Sequence, residues 1–353
     1  MTTPRFPAGL AAAARGAFAL ALAVGALAPL AHAQDKPGTV AAPFLLMGTD
    51  ARGLAMGSAQ TAAARGAEAL HWNPAGIADP TARGTGSAVF STQRWIVDTQ
   101  HSFVGATLDG GTIGTFGLSV TALDYGDEPV TTEERPDGTG ELYSALDLAV
   151  GVSYARALTQ QFSVGATAKL VRQQIWNESA SGAALDLGVR YETGFRGLVI
   201  GATMSNFGSD LRMAGRDLRR RYDQDPESTG DDEEIPANLE VDAWPIPLAF
   251  GVGISAEAVR SGDLALTVSA EGQAPSDNSQ SANFGAELAY RDLVYVRGGY
   301  RQAFSSIAED GGWSAGFGLQ YDLDDALGVR FGYVMQEVEP FGTPQMFSLG
   351  MTF

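Results

Sequence analysis

The sequence predicts an all-β fold: a transmembrane antiparallel up-and-down β-barrel of about fourteen strands with an N-terminal plug segment. Three observations carry this. From about residue 87, apolar residues alternate with small or polar ones in segments of roughly ten residues. That is the pattern of strands with one lipid-facing and one lumen-facing side, whereas the strands of soluble sandwiches run to five or six residues. The segments are even in number, and the intervals between them alternate short and long. The chain is also rich in helix-breaking glycine, with 44 Gly and no Cys, which favours strands and turns over bundles and leaves no disulfide to hold the fold.

The elements follow in chain order. Arg5 and Arg15 precede the apolar run Ala17 to Leu30 and then Ala31-His32-Ala33. This reads as a signal peptide over residues 1–33, cut after Ala33. The alternative, a membrane anchor, needs a longer apolar run. No stretch beyond residue 34 is apolar enough for a transmembrane helix. The formal charge of −18 becomes −20 when the two Arg leave. Such a balance excludes nucleic acid, which needs clustered Lys and Arg. The expected location is the outer membrane of a Gram-negative-type bacterium, with outer-membrane lipid as the surroundings.

Residues 34–86 read as a lead-in followed by a plug inside the barrel. The stretch "ALHWNPAGIAD", Ala69 to Asp79, is an apolar turn, and a barrel wall can bury it. Asn-Pro starts turns, and the candidate motif is His71, Trp72, Asn73, Pro74, Ala75 and Gly76. His71 is expected to hydrogen-bond plug to wall. A fourteen-stranded barrel encloses more space than its own side chains fill.

Residues 87–353 supply the barrel. The spans are 87–97, 100–108, 112–123, 143–156, 161–175, 182–191, 197–206, 247–257, 262–271, 281–290, 292–302, 312–322, 326–337 and 344–353. With both termini periplasmic, the turns on that side are short: Asp109–Gly111, Ala157–Gln160, Glu192–Arg196, Ala258–Ser261, Arg291 and Leu323–Asp325. The outer connections include long loops at 124–142 and 207–246. No clear proline or bulge interrupts strands two to four.

The inward row carries a charge ladder of Asp147, Lys169, Asp186, Arg190, Glu271, Glu287, Arg297, Arg301 and Arg330. Charges are expensive against lipid and can pair in a lumen. The ladder reads as a brace for the wall rather than a conduit. Tyr154, Tyr191, Tyr290, Tyr300, Trp313 and Tyr321 fall near strand ends, as interfacial girdles do.

The string "GTDARGLAMGSAQTAAARGAEALHWNPAGIAD" resembles the N-terminal signature of PorV/PorQ-type outer-membrane proteins, relatives of the long-chain fatty acid transporter FadL. Here the Asn-Pro-Ala of the FadL plug is Asn73-Pro74-Ala75. "SNFGSDLRM" and "EEIPANLEV", Ser205 to Met213 and Glu233 to Val241, are similar to a pair that flanks an external insertion in that family. The resemblance implies a fourteen-stranded barrel with a plug. It departs at Arg65, where family members often carry acids. The external loop also departs, with Arg216, Arg219, Arg220 and Arg221 followed by Asp231, Asp232, Glu233 and Glu234.

Catalysis finds no support. Beyond the leader only His71 and His101 remain, with no G-x-S-x-G, H-E-x-x-H or P-loop. His101 reads as a lone exposed histidine at the outer end of strand two. The acidic run Asp223 to Glu234 lacks the spacing of a calcium loop, so no metal and no cofactor is expected. Two non-enzymatic readings follow from the resemblance. One is docking of exported proteins or secretion-complex components in type IX secretion. The other is a channel for long-chain fatty acids or other hydrophobic small molecules.

Overall fold

The computed structural model describes residues 38–79, 84–195, 197–223, 235–304, 311–324, 327–338 and 340–353. The expected leader and the acids Asp231, Asp232, Glu233 and Glu234 lie outside them.

Seven long strands lead from the N-terminal segment: β1 (Gly86–Arg94), β2 (Gln100–Asp109), β3 (Thr115–Pro129), β4 (Leu142–Ala157), β5 (Phe162–Ile175), β6 (Glu178–Glu192) and β7 (Val199–Gly208). Three short ones interrupt them: β8 (Ala214–Gly215), β9 (Arg219–Tyr222) and β10 (Ile235–Asn238). Seven more complete the wall: β11 (Ala249–Ser261), β12 (Leu264–Pro275), β13 (Ser281–Tyr290), β14 (Val294–Ala303), β15 (Gly312–Asp322), β16 (Gly328–Gln336) and β17 (Gln345–Thr352). Each long strand pairs antiparallel with its neighbours, β7 with β11 across the insertion. β1 pairs with β17 and closes the ring. The barrel therefore has the fourteen strands expected, and no free edge.

Period two explains which side chains face where. In β1, Ser87, Val89, Ser91 and Gln93 are buried while Phe90 is exposed. Around the ring Leu118, Val152, Leu170, Val252, Val296 and Leu349 are exposed as well. An apolar surface of this extent is a lipid-facing belt, since soluble monomers expose only small patches. The girdle residues Tyr154, Tyr191, Tyr290, Tyr300, Trp313 and Tyr321 are all exposed. The first three and Tyr321 stand at the short-turn end, and Tyr300 pairs with Trp313 near the other. This is the architecture of an outer-membrane barrel.

The sequence expectations need five corrections here. β3 and β4 run on to Pro129 and Leu142, so the second outer connection is a tall hairpin rather than a loop from 124. That extension contains a register shift between Asp124 and Asp127, so strands two to four are not free of irregularity. Polar residues hid it, because beyond residue 124 the apolar alternation that marks a membrane crossing stops. β6 starts at Glu178, and Gly111–Ile113 is a helical turn ahead of β3. His101 points inward and is fully buried rather than exposed. It shares the odd-numbered face of β2 with Phe103 and Thr107, both buried.

Candidate functional site

The N-terminal segment reaches strands on every side of the ring, which places it in the lumen. It also has a direction. Ala41 N–H donates to Pro245 O at 2.8 Å, in the external insertion, and Ala42 N–H to Gln173 Oε1 at 3.1 Å, near the outer end of β5. At its other end Ala67 N–H donates to Ser87 Oγ at 2.8 Å, and the Ser163 hydroxyl to Ala75 O at 3.1 Å, both near the short-turn end. The chain therefore descends from the outer mouth to the inner rim before it becomes β1.

Short helices fold this descent. Asp50 caps α1 (Ala51–Ala55), its Oδ1 accepting Gly53 N–H at 2.7 Å. This is the side-chain N-cap that satisfies an otherwise orphaned donor. α2 (Ala69–Trp72) follows, and then a 3₁₀ turn over Pro74–Ile77. Asn73 caps that turn, accepting Ala75 N–H at 3.0 Å, and Pro74 occupies the first position, where no N–H is needed. The Asn73 amide donates to Thr61 O at 2.7 Å and to Val189 O at 3.1 Å. One side chain thus ties turn, plug and wall together. Trp72 through Gly76 are buried. His71 instead packs edge-on against Trp72, ring centroids 4.8 Å apart. It makes no hydrogen bond to the wall among the described residues, against expectation. Burial, then Lys169 and His101 nearby, lower its pKa to about 3. With Lys169, Ser119 and Thr121 it lines a cavity of about 10 Å³, the space of one water.

Inward glycines of the wall seat the plug backbone. A Cβ on Gly316 would lie 2.8 Å from Ala55 Cβ, and one on Gly332 3.1 Å from Ala51 Cβ. On Gly165, Gly188, Gly201, Gly285 and Gly299 it would overlap Pro74, Asn73, Thr61, Met56 and Gly57. These strands span both halves of the ring. The plug is held by close approach of its backbone and short side chains to wall glycines, where larger residues would collide.

Charges complete the seating. Glu287 receives Arg52 through two bonds, Nε at 3.0 Å and Nη2 at 3.1 Å, and Arg297 Nε at 2.6 Å. Burial acts to lower the Arg52 pKa, but Glu287 beside it leaves that pKa raised overall. Arg330 approaches Glu68 at 3.5 Å. Glu271 accepts Thr61 N–H at 2.8 Å, and Arg190 pairs with Glu192 at 2.8 Å. Asp147 accepts Tyr125 O–H and Gln173 Nε2, both at 3.0 Å, and Arg301 donates to Gln302 Oε1 and Glu337 O. The row of charges is therefore no continuous ladder along the wall. Several of its links run to the plug, whose partners Arg52, Thr61 and Glu68 the sequence did not single out. The N-cap pattern Asp50-x-x-Gly53 was the available signal for α1.

Asn206 anchors the external insertion. Its N–H donates to Asp186 at 2.7 Å, its Oδ1 accepts Lys169 Nζ at 2.9 Å, and its Nδ2 donates to Pro247 O at 3.1 Å. Lys169 also pairs with Asp186 at 2.6 Å. A φ of 60° at Asn206 coincides with the register shift at which β7 steps against β6 before pairing resumes at Phe207, a conformation Asn tolerates. Above it Leu211 and Ile246 pack with Phe44 and Leu45 of the lead-in, each buried side chain contributing about 2 kcal/mol. Arg216, Arg219, Arg220 and Arg221 stand exposed on the insertion, where β9 pairs with β10. No group of three or more metal-ligating side chains comes together among the described residues.

The family model described as type IX secretion system protein PorV matches residues 30–191, which hold the plug and the first six strands. No curated protein sequence matches the chain. Among solved structures it is similar to the Pseudomonas putida toluene transporter TodX, at 13% identity and a TM-score of 0.55 over 87% of this chain and 97% of that one. A Pseudomonas aeruginosa FadL homologue gives 14% and 0.54 over 86% and 98%. The Ralstonia pickettii toluene transporter TbuX gives 15% and 0.52 over 87% and 98%. The chain is PorV-like in sequence across residues 30–191 and FadL-like in fold.

Proposed function

We propose that this protein is a non-enzymatic docking component at the cell surface for proteins exported by type IX secretion. The observation that carries the reading is the PorV match over residues 30–191, which covers the plug. The geometry supports docking over conduction. The plug is seated on wall glycines around the ring and crosslinked by Arg52 and Glu287, so opening the lumen means breaking buried charge pairs. Docking asks only for an external surface, and the described parts of the insertion, residues 209–223 and 235–248, offer one.

The test uses the absence of cysteine. Single Cys residues placed in the insertion, at Arg216 or Arg220, are crosslinked on intact cells. Discrete exported proteins sharing a C-terminal domain are the expected adducts. No protein adduct, with surface labelling of the same Cys demonstrated, overturns the reading.

A second reading is a channel for hydrophobic molecules, as the names of the toluene transporters suggest. Its support is the register shift between β6 and β7 at Leu185/Leu187, an irregularity of the kind that interrupts a wall. Uptake unchanged in cells lacking the protein would sink it.

A further inference from the structure

The outer face of the wall carries a groove of about 660 Å³ at its external rim, within the size range of small-molecule sites. Its floor is set by register. Arg94 of β1 lies between Gln100 of β2 and Gln345 of β17. One row toward mid-wall, Thr92 lies between Ser102 and Phe347. The next row is Val104, Phe90 and Leu349. Even-numbered residues of β1 face outward, as exposed Phe90 and Arg94 show. From mid-wall to rim the surface thus passes from wholly apolar, to hydroxyl and aromatic, to cationic and amide. Two connections wall the groove, one bringing Trp95, Ile96 and Asp98, the other Phe341 and Pro344. Asp98 sits in the turn beyond the strand end, farther from mid-wall than Arg94. Both are exposed, and neither has an ion pair among the described residues.

We propose that this groove binds a phospholipid with a phosphoethanolamine headgroup. The sequence of surfaces matches the sequence of groups along such a lipid. Acyl chains lie over Phe90, Leu349 and Phe347. The ester and glycerol oxygens meet Thr92 and Ser102. The phosphate meets Arg94, flanked by the amides of Gln100 and Gln345, in a charge-assisted hydrogen bond. The ammonium, one step farther out, meets Asp98. A headgroup of single negative charge would satisfy Arg94 and face a like charge at Asp98. A purely apolar ligand would leave both charges unused. A protein partner is disfavoured because the floor runs without a break into the lipid-facing belt. The proposal rests only on the barrel facing lipid and holds under either reading of function.

The test is native mass spectrometry of the folded full-length protein after exposure to equal amounts of phosphatidylethanolamine, phosphatidylglycerol and phosphatidylcholine. Phosphatidylethanolamine is expected to be retained in preference to the other two. Arg94→Ala lowers that retention roughly tenfold, the loss of one charge-assisted bond. Asp98→Asn keeps the left-handed turn at φ 55° and erases the preference over phosphatidylglycerol. Heat-modifiable migration on gels confirms folding, and the Asp98 variant decides alone if Arg94→Ala misfolds. Equal retention of the three lipids by the unaltered protein overturns the proposal. So does retention unaffected by the variants, or a second protein copy in place of lipid.

Discussion

The indole N–H of Trp72 donates a 2.5 Å hydrogen bond to Oδ2 of Asp50, whose other oxygen caps α1. Two residues 22 positions apart thereby hold both halves of the plug around one buried carboxyl. Burial, and then Glu68 nearby, raise the Asp50 pKa from 3.8 to about 6. A carboxyl whose folded pKa lies above its unfolded one stabilises in its neutral form. The contribution is complete below pH 3.8 and is lost as pH rises through about 6. The difference corresponds to about 3 kcal/mol. Unfolding of the wild type and of Asp50→Asn in detergent should differ in pH dependence. The variant lacks the loss of stability that Asp50 contributes between pH 4 and pH 7, and is less stable than the wild type at pH 4, because its amide NH2 meets the Trp72 N–H where the carboxyl oxygen accepted it.

The glycine seats should be intolerant of side chains. Gly201→Val forces the wall against Thr61. The barrel is expected to form while the plug is displaced, so a Cys at Ser58 becomes reactive and single-channel conductance appears. Gly272, with nothing within 4 Å of a Cβ, is the control, and Gly272→Val should leave both readouts unchanged.

Glu287 is the centre of a buried cluster. Glu287→Ala leaves the Arg52 and Arg297 guanidiniums without their carboxylate and should cost about 3–5 kcal/mol in unfolding experiments. Replacing all three by Met should restore most of that loss, because removing the whole cluster also removes its desolvation cost.

Asn206→Ala should release the root of the external insertion. It deletes the bonds to Lys169 and Pro247, worth about 1–3 kcal/mol together. External protease should cut residues 209–223 roughly tenfold faster, with the barrel still resistant to heat-induced unfolding on gels.

The wall was legible because period two is written in every strand, as in Phe347, Leu349 and Met351 against Ser348, Gly350 and Thr352. The Asn73-Pro74 turn was legible for a local reason too: its cap and its proline lie side by side. The links across the lumen were not. Arg52 meets Glu287 over 235 positions, and no local pattern announces such a partner. His101 was misread because its strand end looked exposed, although its parity with Phe103 placed it inside. Asn206 was hidden within a recognised motif, since its role depends on a left-handed turn that residue type alone does not reveal.

The descent of the N-terminal segment couples two opposite sides of the ring. Its lower end precedes β1, at whose start Thr85 and Gly86 donate to Phe353 O at 2.6 and 2.8 Å where the ring closes. Its upper end lies under an insertion rooted in β7 and β11, on the far side of the ring from β1 and β17. A segment tethered below and roofed above thus ties the β1–β17 seam to the root of the insertion on the opposite side of the ring, so a filling of the wrong shape strains the same strands that close the cylinder.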